Sequence, residues 1–354
     1  MIVHIFADTP HHYLSMADYF QRLPNLNEKQ LFWAQFQPNV NPNESFSYYH
    51  SPKHLKEMLN ELAGDVQLVI HGNFNPRVWL MLLFHPLASK ASCVFWGADL
   101  YRYQTTKMTF KQKVVQLIHR LLCKRYKHLV CLNSGDAVLV DKYLKRSNAK
   151  VIPYPLQQSY LDNLKNQAEG SNKPENHSIT ILVGNSAAAS NNHLEVFEQL
   201  KHLVNEDIQV LCTLNYAGTK EYISHVIKEG KSIFGNKFTA ITDMLSKDDH
   251  AKLLADVDLC IFGHNRQQGL FVAYAMFALG KPVFMKSQVS SYQHLTNLGF
   301  TVHKTDELSR YSWQSLNSAI GEDKDNTKVL EQTYTEQALA PKWLALLSTS
   351  EAAS

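Results

Sequence analysis

The sequence lacks the features that would place the protein among disulfide-rich, secreted or membrane-spanning chains. Its five cysteines form no Cys-x-x-Cys pair and sit mostly in apolar segments, which favours reduced core thiols over a disulfide framework or a zinc site. The longest apolar runs, such as residues 78–84, fall far short of the roughly 20 residues that span a bilayer. No basic region precedes the apolar residues at the N-terminus, so we expect a first strand there and no secretory signal.

Common nucleotide-binding and metal-binding motifs are missing as well. Neither Gly-x-Gly-x-x-Gly nor a Walker P-loop occurs in the chain. The two Asp-x-Asp occurrences, residues 256–258 and 323–325, fall at the start of a predicted strand and in a polar loop, so we predict no metal and no cofactor. The net charge of +3 is too small by itself to indicate a polyanionic partner. With 45% hydrophobic and 19% charged residues, the composition is typical of a soluble globular protein.

The chain does contain a repeated alternation of β-rich and helical segments. A length of 354 residues suits two α/β domains of ordinary size. Because helical segments separate the strands, each sheet should be mostly parallel. The predicted strands lie at residues 2–6, 31–35, 66–70, 92–96, 129–132 and 151–152, and then at 179–183, 208–214, 238–241, 259–262, 283–284 and 300–302.

A polar segment without apolar periodicity, residues 163–177, marks the expected domain boundary. We therefore predict an N-terminal domain over residues 1–165 and a second domain over 178–325. Residues 326–354 begin with helical spacing interrupted by Pro341, which predicts a kinked C-terminal helix that returns to the first domain. Two such α/β halves would face each other across a cleft.

The most informative stretch follows the predicted strand at 259–262. Amide and guanidinium donors closed by a glycine come directly after the strand and before an apolar helix: Arg266, Gln267, Gln268 and Gly269. Helix N-termini at strand ends favour phosphate, and a guanidinium adds a forked charge-assisted contact. No Asp or Glu occurs from Leu259 through Thr305, as expected of a diphosphate site. The alternative is that Arg266 caps a surface turn and the glutamines are solvated.

A second donor-rich loop follows the predicted strand at 179–183. Gly184 would let the backbone approach a ligand closely, while Asn185 and Ser186 would donate to a phosphate or a sugar. The alternative is a helix N-cap formed by Ser190 or Asn191.

Three loops of the first domain also fall at predicted strand ends, where ligands bind in open α/β sheets. They contain carboxylates, imidazoles, amides and aromatic side chains: Asp8, His11 and His12 after the first strand, His71, Asn73 and Asn75 after the third, and Trp96, Asp99 and Tyr101 after the fourth. A carboxylate or an imidazole there can accept a proton from a substrate hydroxyl. Each also has a structural alternative, since Asp8 and Asp99 can cap helices and His71 can be a satisfied buried polar group.

One basic amphipathic helix is predicted between Tyr101 and Asn133, a stretch with no acid. Its cations are Arg102, Lys107, Lys111, Lys113, Arg120, Lys124, Arg125 and Lys127. The apolar residues at helical spacing (Val114, Leu117, Ile118, Leu121 and Leu122) are most simply core. The flanking cations would face anionic lipid headgroups. A solvated helix face is the alternative, and nucleic acid ranks lower as a partner because no exposed aromatic residues or binding motif accompany the charge.

Several of these motifs resemble, in order and spacing, those of glycosyltransferase family 56. They are His71–Pro76 with Trp79, Trp96–Tyr101, Ile181–Ser186 and Arg266–Gly269, and the similarity extends to Asp8–His12. The family is known for TDP-N-acetylfucosamine:lipid II transfer in enterobacterial common antigen synthesis. The resemblance implies a GT-B architecture, metal-independent transfer without a cofactor, and a TDP-linked 4-acetamido-4,6-dideoxygalactose donor. The implied acceptor is a polyprenyl-diphosphate disaccharide at the inner face of the cytoplasmic membrane, which makes the protein a peripheral membrane enzyme.

Under the glycosyltransferase hypothesis we expect the following roles for the motif residues. The nucleotide diphosphate would be held by Gly184, Asn185, Ser186, Arg266, Gln267, Gln268 and Gly269. The general base would be Asp99, followed by His71, His11 and Asp8, and the acceptor side would include His12, Asn73, Asn75, Trp96 and Tyr101. The C-terminal half lacks the paired glutamates of many retaining GT-B enzymes, which favours an inverting displacement. The small residues at 187–190 depart from the expected polar pattern, so the sugar and acceptor stay open.

Two other functions are compatible with the sequence. A two-lobed protein that binds a sugar or nucleotide sugar without catalysis would use the same loops. A GT-B-like epimerase would turn over nucleotide sugar without any acceptor.

Overall fold

The computed structural model describes residues 1–7, 10–38, 41–105, 107–170, 178–322 and 325–348. The chain divides into two compact units, each built around its own parallel sheet. The first unit comprises Met1–Tyr154 and Leu339–Ser354, and the second comprises Pro155–Ala338. The second unit thus begins ahead of the polar segment at 163–177, because Tyr160, Leu161 and Leu164 are buried within it.

The first sheet has seven strands in the order β3-β2-β1-β4-β5-β6-β7. Their bounds are β1 Ile2–Phe6, β2 Gln30–Gln35, β3 Phe46–Tyr49, β4 Gln67–His71, β5 Ala91–Phe95, β6 His128–Cys131 and β7 Lys150–Val151. All pairings are parallel, and β1, β4 and β5 are buried almost throughout, as expected of strands covered on both faces. The order reverses between β1 and β4, which places the ligand-binding switch point of this unit at their carboxyl ends.

Within the described residues, six α-helices lie between these strands. They are α1 Pro10–Gln21, α2 Pro52–Asn60, α3 Pro76–Phe84, α4 Ala98–Tyr101, α5 Phe110–Arg125 and α6 Ser134–Leu144. Local chemistry fixes several starts: Ser51 and Asn75 cap α2 and α3, each with proline at the next position, and Thr109 forms a capping box with Gln112.

The second sheet has six parallel strands in the order β10-β9-β8-β11-β12-β13. They are β8 Ile179–Val183, β9 Ile208–Thr213, β10 Phe238–Ile241, β11 Leu259–Phe262, β12 Val283–Met285 and β13 His303–Lys304. The helices of this unit are α7 Gln158–Gly170, α8 His193–Leu200, α9 Lys220–Phe234, α10 Lys247–Asp256, α11 Leu270–Ala278, α12 Ser290–Asn297, α13 Trp313–Glu322 and α14 Asp325–Thr333. Here the order reverses between β8 and β11, so the switch point lies at the ends of those two strands.

The last helix, α15 Glu336–Leu347, contains Pro341 and carries the chain back into the first unit. Trp343 is fully buried there and donates its indole N–H to the Pro153 carbonyl at 3.0 Å. Within the described ranges no helix has the length and apolarity needed to cross a bilayer.

The alternation of strands and helices predicted two parallel sheets, and this is confirmed. The predicted bounds of β1, β8, β10 and β11 agree with the structure residue for residue. Strand β3 was not predicted, since its four residues follow a Pro/Asn-rich loop. The last strand was placed wrongly at 300–302: Phe300 is buried, but its N–H bonds to the Leu295 carbonyl in a turn, and β13 starts at His303.

Candidate active site

The two donor-rich loops of the second unit meet at its switch point, because they follow the adjacent strands β8 and β11. Gly184 and Gly269 both have positive φ values, +72° and +70°. A Cβ added at Gly269 would lie 2.7 Å from the His264 ring and 3.4 Å from the Asn185 side chain. Both glycines are therefore required by backbone conformation and by close packing between the loops.

Asn191 holds the two loops together and is fully buried. Its Oδ1 accepts hydrogen bonds from the Asn185 N–H at 3.1 Å and from the His264 ring at 2.8 Å. Its Nδ2 donates to the Ser186 hydroxyl and to the Ala188 carbonyl, both at 3.1 Å. All four hydrogen-bonding positions of this amide are thus used inside the site. Ser186 consequently serves the internal structure of the loop.

The two histidines beside Asn191 are neutral. Burial lowers the pKa of His264 to about 3, with a further contribution from Arg266, so its Nε2–H is the donor to Asn191. Burial also lowers the pKa of His193 to about 4. The Nδ1 atom of His193 bonds the Tyr222 hydroxyl at 2.9 Å, while its Nε2 atom lies beneath Gly184 with no partner among the described residues.

The side chains predicted to bind the diphosphate surround this junction. Arg266 is half-buried and forms no salt bridge within the described part of the chain. Gln267 is buried, and Gln268 accepts a hydrogen bond from the Ser190 hydroxyl at 2.8 Å while its Nε2 atom has no partner there. Gly269 begins α11 without a side-chain cap, so the first N–H groups of that helix are available to an anion. These donors can together hydrogen-bond an anion such as phosphate.

The second unit contributes residues to this edge that the sequence analysis did not single out. Lys286 follows β12 directly and lies 2.6 Å from Glu195 and 3.2 Å from the Asn265 side chain. Tyr216, after β9, accepts a hydrogen bond from Asn185 at 3.0 Å. Both follow a strand of this sheet at the same edge, which is the signal that could have identified them.

In the first unit, Asp99 is a buried carboxylate at the carboxyl end of β5. Both of its oxygens accept the Trp96 N–H at 3.2 Å, and Gly97, with φ of +89°, makes the turn into α4. Burial raises the pKa of Asp99 to about 7; Asp136 adds to the rise, and backbone N–H groups oppose it. A carboxyl that titrates near neutrality is suited to accept a proton from a hydroxyl.

Asp136 is a second buried carboxylate at this edge, and it follows β6. Its Oδ1 accepts the Tyr101 hydroxyl at 3.0 Å, and its backbone N–H donates to Asn133 at 2.8 Å. Burial raises the pKa of Asp136 to about 6. Its Oδ2 atom and the Nδ2 atom of Asn133 are buried without a partner among the described residues. Tyr101 was predicted to lie at this edge, whereas Asp136 and Asn133 were not.

His71 lies within a chain of side-chain hydrogen bonds. Its Nδ1 atom is 2.6 Å from the Tyr154 hydroxyl, and its Nε2 atom is 2.9 Å from Nδ1 of His4. The other nitrogen of His4 bonds Gln30 Oε1 at 3.1 Å, and the Trp96 indole N–H donates to Tyr154 at 3.2 Å. Burial lowers the pKa of His4 to about 3 and holds that of His71 well below its usual value. Both ring nitrogens of His71 are therefore occupied, which favours a structural role over proton transfer.

The hydrogen bond to Tyr154 and the packing against Gly72 position the Trp96 side chain. A Cβ at Gly72 would overlap the indole of Trp96, so the ring packs directly on the backbone of Gly72. Phe74 lies edge-on to Trp96, with ring centroids 6.2 Å apart. The neighbouring amides stabilise the loop: Asn73 Oδ1 accepts the Asn75 N–H, and Asn75 caps α3. The loop thus presents an aromatic surface on an ordered backbone.

Three predicted residues of the first unit cannot be placed in this way. Asp8 lies outside the described residues, as do the side chains of His11 and His12, which occur at the start of α1.

Helix α5 corrects two expectations. Three residues of its apolar stripe are exposed rather than part of the core: Val114 (40%), Leu117 (55%) and Leu121 (42%). Leu122 of the predicted stripe is buried and Ile118 packs against the core, and the buried face also includes His119 and Cys123. Arg125, expected to face the membrane, is half-buried and donates to the carbonyls of Leu83 and His85. The remaining predicted membrane-facing cations are exposed: Lys107, Lys111, Lys113, Arg120, Lys124 and Lys127.

Across the described ranges, no three His, Cys, Asp or Glu side chains are grouped so as to hold a metal ion. All five cysteines are buried and unpaired.

Comparison with known proteins agrees with this architecture. A family model described as 4-alpha-L-fucosyltransferase, glycosyl transferase group 56, matches residues 1–350. Among solved structures, sucrose-phosphate synthase from Thermosynechococcus elongatus is similar with a TM-score of 0.73 at 10% identity, covering 98% of this chain and 97% of that one. A glycosyltransferase from Rickettsia africae gives 0.69 at 13% identity, covering 98% and 97%. WaaG, a glycosyltransferase involved in lipopolysaccharide biosynthesis, gives 0.65 at 12% identity, covering 99% and 100%. The fold is GT-B, with two Rossmann-like units.

Proposed function

The chain belongs to glycosyltransferase family 56, and we propose that it transfers an N-acetylated amino-deoxy sugar from a TDP-sugar to a polyprenyl-diphosphate-linked oligosaccharide. N-acetylfucosamine is the first choice of sugar. The family's description as fucosyltransferases and the motif resemblance support this choice. The proposed site of action is the inner face of the cytoplasmic membrane, where the protein would bind an anionic surface peripherally.

The observation that carries the proposal is the junction of the loops after β8 and β11. It combines a close-approach glycine at 184, a half-buried arginine with no carboxylate partner among the described residues, and a helix N-terminus at Gly269 without a side-chain cap. These are the groups that bind a diphosphate and offset the charge that develops on it as a leaving group.

The proposed chemistry is an inverting displacement without a metal. The acceptor hydroxyl oxygen attacks the anomeric carbon and forms the new glycosidic bond, while the bond from that carbon to the diphosphate oxygen breaks. The electron pair of the broken bond passes to the nucleoside diphosphate, whose charge Arg266 offsets. Asp99 takes the proton of the acceptor hydroxyl, since burial brings the pKa of this carboxyl close to 7.

Transfer of label from a panel of nucleotide sugars to a membrane lipid extract tests this function. We expect a labelled polyprenyl-diphosphate glycan from a TDP-linked amino-deoxy sugar. Nucleotide-sugar binding without turnover, with suitable lipid acceptor present, would instead favour a non-catalytic binding protein. Conversion of the nucleotide sugar without any acceptor would favour an epimerase.

Arg266→Ala tests the donor site separately. Loss of a charge-assisted contact of about 1.5–3 kcal/mol should weaken TDP binding by about 10- to 150-fold. Arg310→Ala, which removes an exposed guanidinium from the same unit, is the matched control and should leave binding unchanged. Calorimetric titration with TDP measures both, and wild-type affinity in Arg266→Ala would rule out the assignment.

A further inference from the structure

The first unit carries an exposed apolar surface bordered by cations, which we call the α3–α5 face. Its apolar members are Leu80 and Phe84 on α3, and Phe110, Val114, Leu117 and Leu121 on α5. Phe110 and Phe84 are 82% and 77% exposed, which makes them the two most exposed large apolar side chains in the described part of the chain. Exposed apolar side chains of this size on two helices that pack against each other indicate a surface that binds something.

The geometry of α5 shows that this surface is distinct from the core. At about 100° per residue along the helix, the four exposed apolar residues of α5 fall within an arc of about 60°. This arc points away from the buried His119. From Phe110 to Leu121 the stripe is about 17 Å long at 1.5 Å per residue. Helix α5 therefore has two apolar faces, one buried against the unit and one that the unit leaves uncovered.

The charges around the stripe identify what covers it. Lys113, Arg120 and Lys124 flank one side of the stripe and Lys111 the other, all exposed, and neither α3 nor α5 contains an acid. A two-fold contact between copies of this chain would place these cations against their own equivalents, which is unfavourable. An anionic lipid surface satisfies both components, because headgroup phosphates match the cations and the acyl boundary accepts the apolar side chains.

A surface depression between α2 and α3, which includes the exposed Leu80 and Phe84, has the same mixed character. It is lined by Lys56, Arg77, Leu80, Met81, Phe84 and His85. Two cations stand beside three apolar side chains, as expected where a phosphate headgroup and the start of an acyl chain bind together.

We propose that the α3–α5 face inserts into anionic phospholipid membranes, with Phe110, Leu117 and Phe84 entering the headgroup–acyl boundary. The inference deepens the proposed function, since it names the part of the protein that contacts the membrane. It also replaces the purely electrostatic contact expected from the sequence with insertion of apolar side chains. Its test contains no sugar nucleotide or acceptor, so its failure can be told apart from failure of the proposed transfer reaction.

Vesicle sedimentation tests the contribution of charge. The wild-type protein should bind vesicles of equal parts phosphatidylglycerol and phosphatidylcholine, and bind pure phosphatidylcholine at least tenfold more weakly. Each cation near the surface is worth about fivefold, so Lys113→Gln with Lys124→Gln should weaken binding by about 25-fold. The matched control, Lys29→Gln with Lys142→Gln, changes the charge of the first unit equally and should have little effect. Equal binding of both vesicle types would overturn the proposal.

Site-specific labelling tests insertion. Because the five native cysteines are buried, Phe110→Cys and Leu117→Cys can each be labelled with an environment-sensitive fluorophore. We expect a blue shift on vesicle binding and quenching by brominated lipid tails at both positions. At Val138→Cys, a 66% exposed position on α6, we expect neither. Unchanged spectra at 110 and 117 on bound vesicles would overturn insertion, as would a stable dimer in light scattering that buries both labels without lipid.

Discussion

Replacing Asp99 by asparagine should stabilise the protein at alkaline pH and at the same time remove most of its activity. Below about pH 3.9 an ordinary aspartate carries its proton in both the folded and the unfolded chain. As the pH rises towards 7, the unfolded chain loses the proton of Asp99 whereas the folded chain, in which burial raises the pKa to about 7, retains it. The free energy of unfolding therefore falls with pH over this range and then levels off.

The magnitude follows from the raised pKa. The loss is about 1.4 kcal/mol per pH unit until the pH approaches 7, and it reaches about 2.7 kcal/mol in total between pH 5 and pH 8. Asparagine does not titrate, so Asp99→Asn escapes this loss, while Asp136 titrates in both proteins. At about 2–4 °C per kcal/mol for a domain of 150–250 residues, the Tm of the variant relative to wild type should rise by about 5–10 °C between pH 5 and pH 8.

Activity should change in the opposite direction. Removal of a general base lowers turnover by about 10²- to 10⁴-fold. Thermal unfolding at a series of pH values, combined with label transfer at pH 8, measures both effects. Asp141→Asn removes an exposed carboxylate from the same unit and serves as the control, with no pH-dependent gap in Tm. If the difference in Tm between Asp99→Asn and the wild type is the same at every pH, Asp99 is not neutral in the folded protein at pH 5. Near-normal turnover of the variant would show that Asp99 is not the general base.

Two further variants test the packing and charge of the two sheet edges. Gly184→Ala should lower TDP affinity at least tenfold and destabilise the second unit by about 1–3 kcal/mol, because the added Cβ would lie 2.6 Å from His193. The control is Gly235→Ala, which is also at positive φ but has open space around it, and which therefore measures the backbone effect alone. Equal losses in the two variants would refute the packing argument. Asp136→Asn removes the negative charge that helps to raise the pKa of Asp99, so the acid limb of the pH–rate profile should move to lower pH, and an unchanged limb would show that the two carboxyls do not interact.

Much of the fold follows from short-range patterns in the sequence. Strands such as β8 and β11 are apolar, buried on both faces and bounded by polar loops, so their limits can be read from composition alone. Strand β3 was not predicted because its four residues follow directly on a Pro/Asn-rich loop, which indicates irregular structure. The common location of the strand-end loops was predictable as well, because parallel strands bring all their carboxyl ends to one edge of the sheet.

The contacts within the sites could not be predicted in this way. Tyr154 bonds His71 across 83 positions of sequence, and Asn191 bonds His264 across 73. A local pattern carries no information on such pairs, because they depend on how whole elements pack. The prediction that the whole apolar stripe of α5 is part of the core was wrong for a related reason. Helical periodicity reveals an apolar stripe, but it does not show which of two stripes the rest of the unit covers.

The hydrogen-bond chain through His71 has a consequence for the route of the transferred proton. Gln30 donates its amide N–H to the Phe20 carbonyl, and the Gln30 side-chain oxygen therefore accepts from His4. Because both histidine rings are neutral, His71 Nε2–H must donate to His4, and the Tyr154 hydroxyl must donate to His71. The chain therefore runs in one direction from an indole, which cannot accept a proton, to a backbone carbonyl, which cannot release one. Protons therefore cannot be transferred along these hydrogen bonds into or out of the core. In the proposed reaction, the proton taken up by Asp99 therefore does not leave along this row of hydrogen bonds.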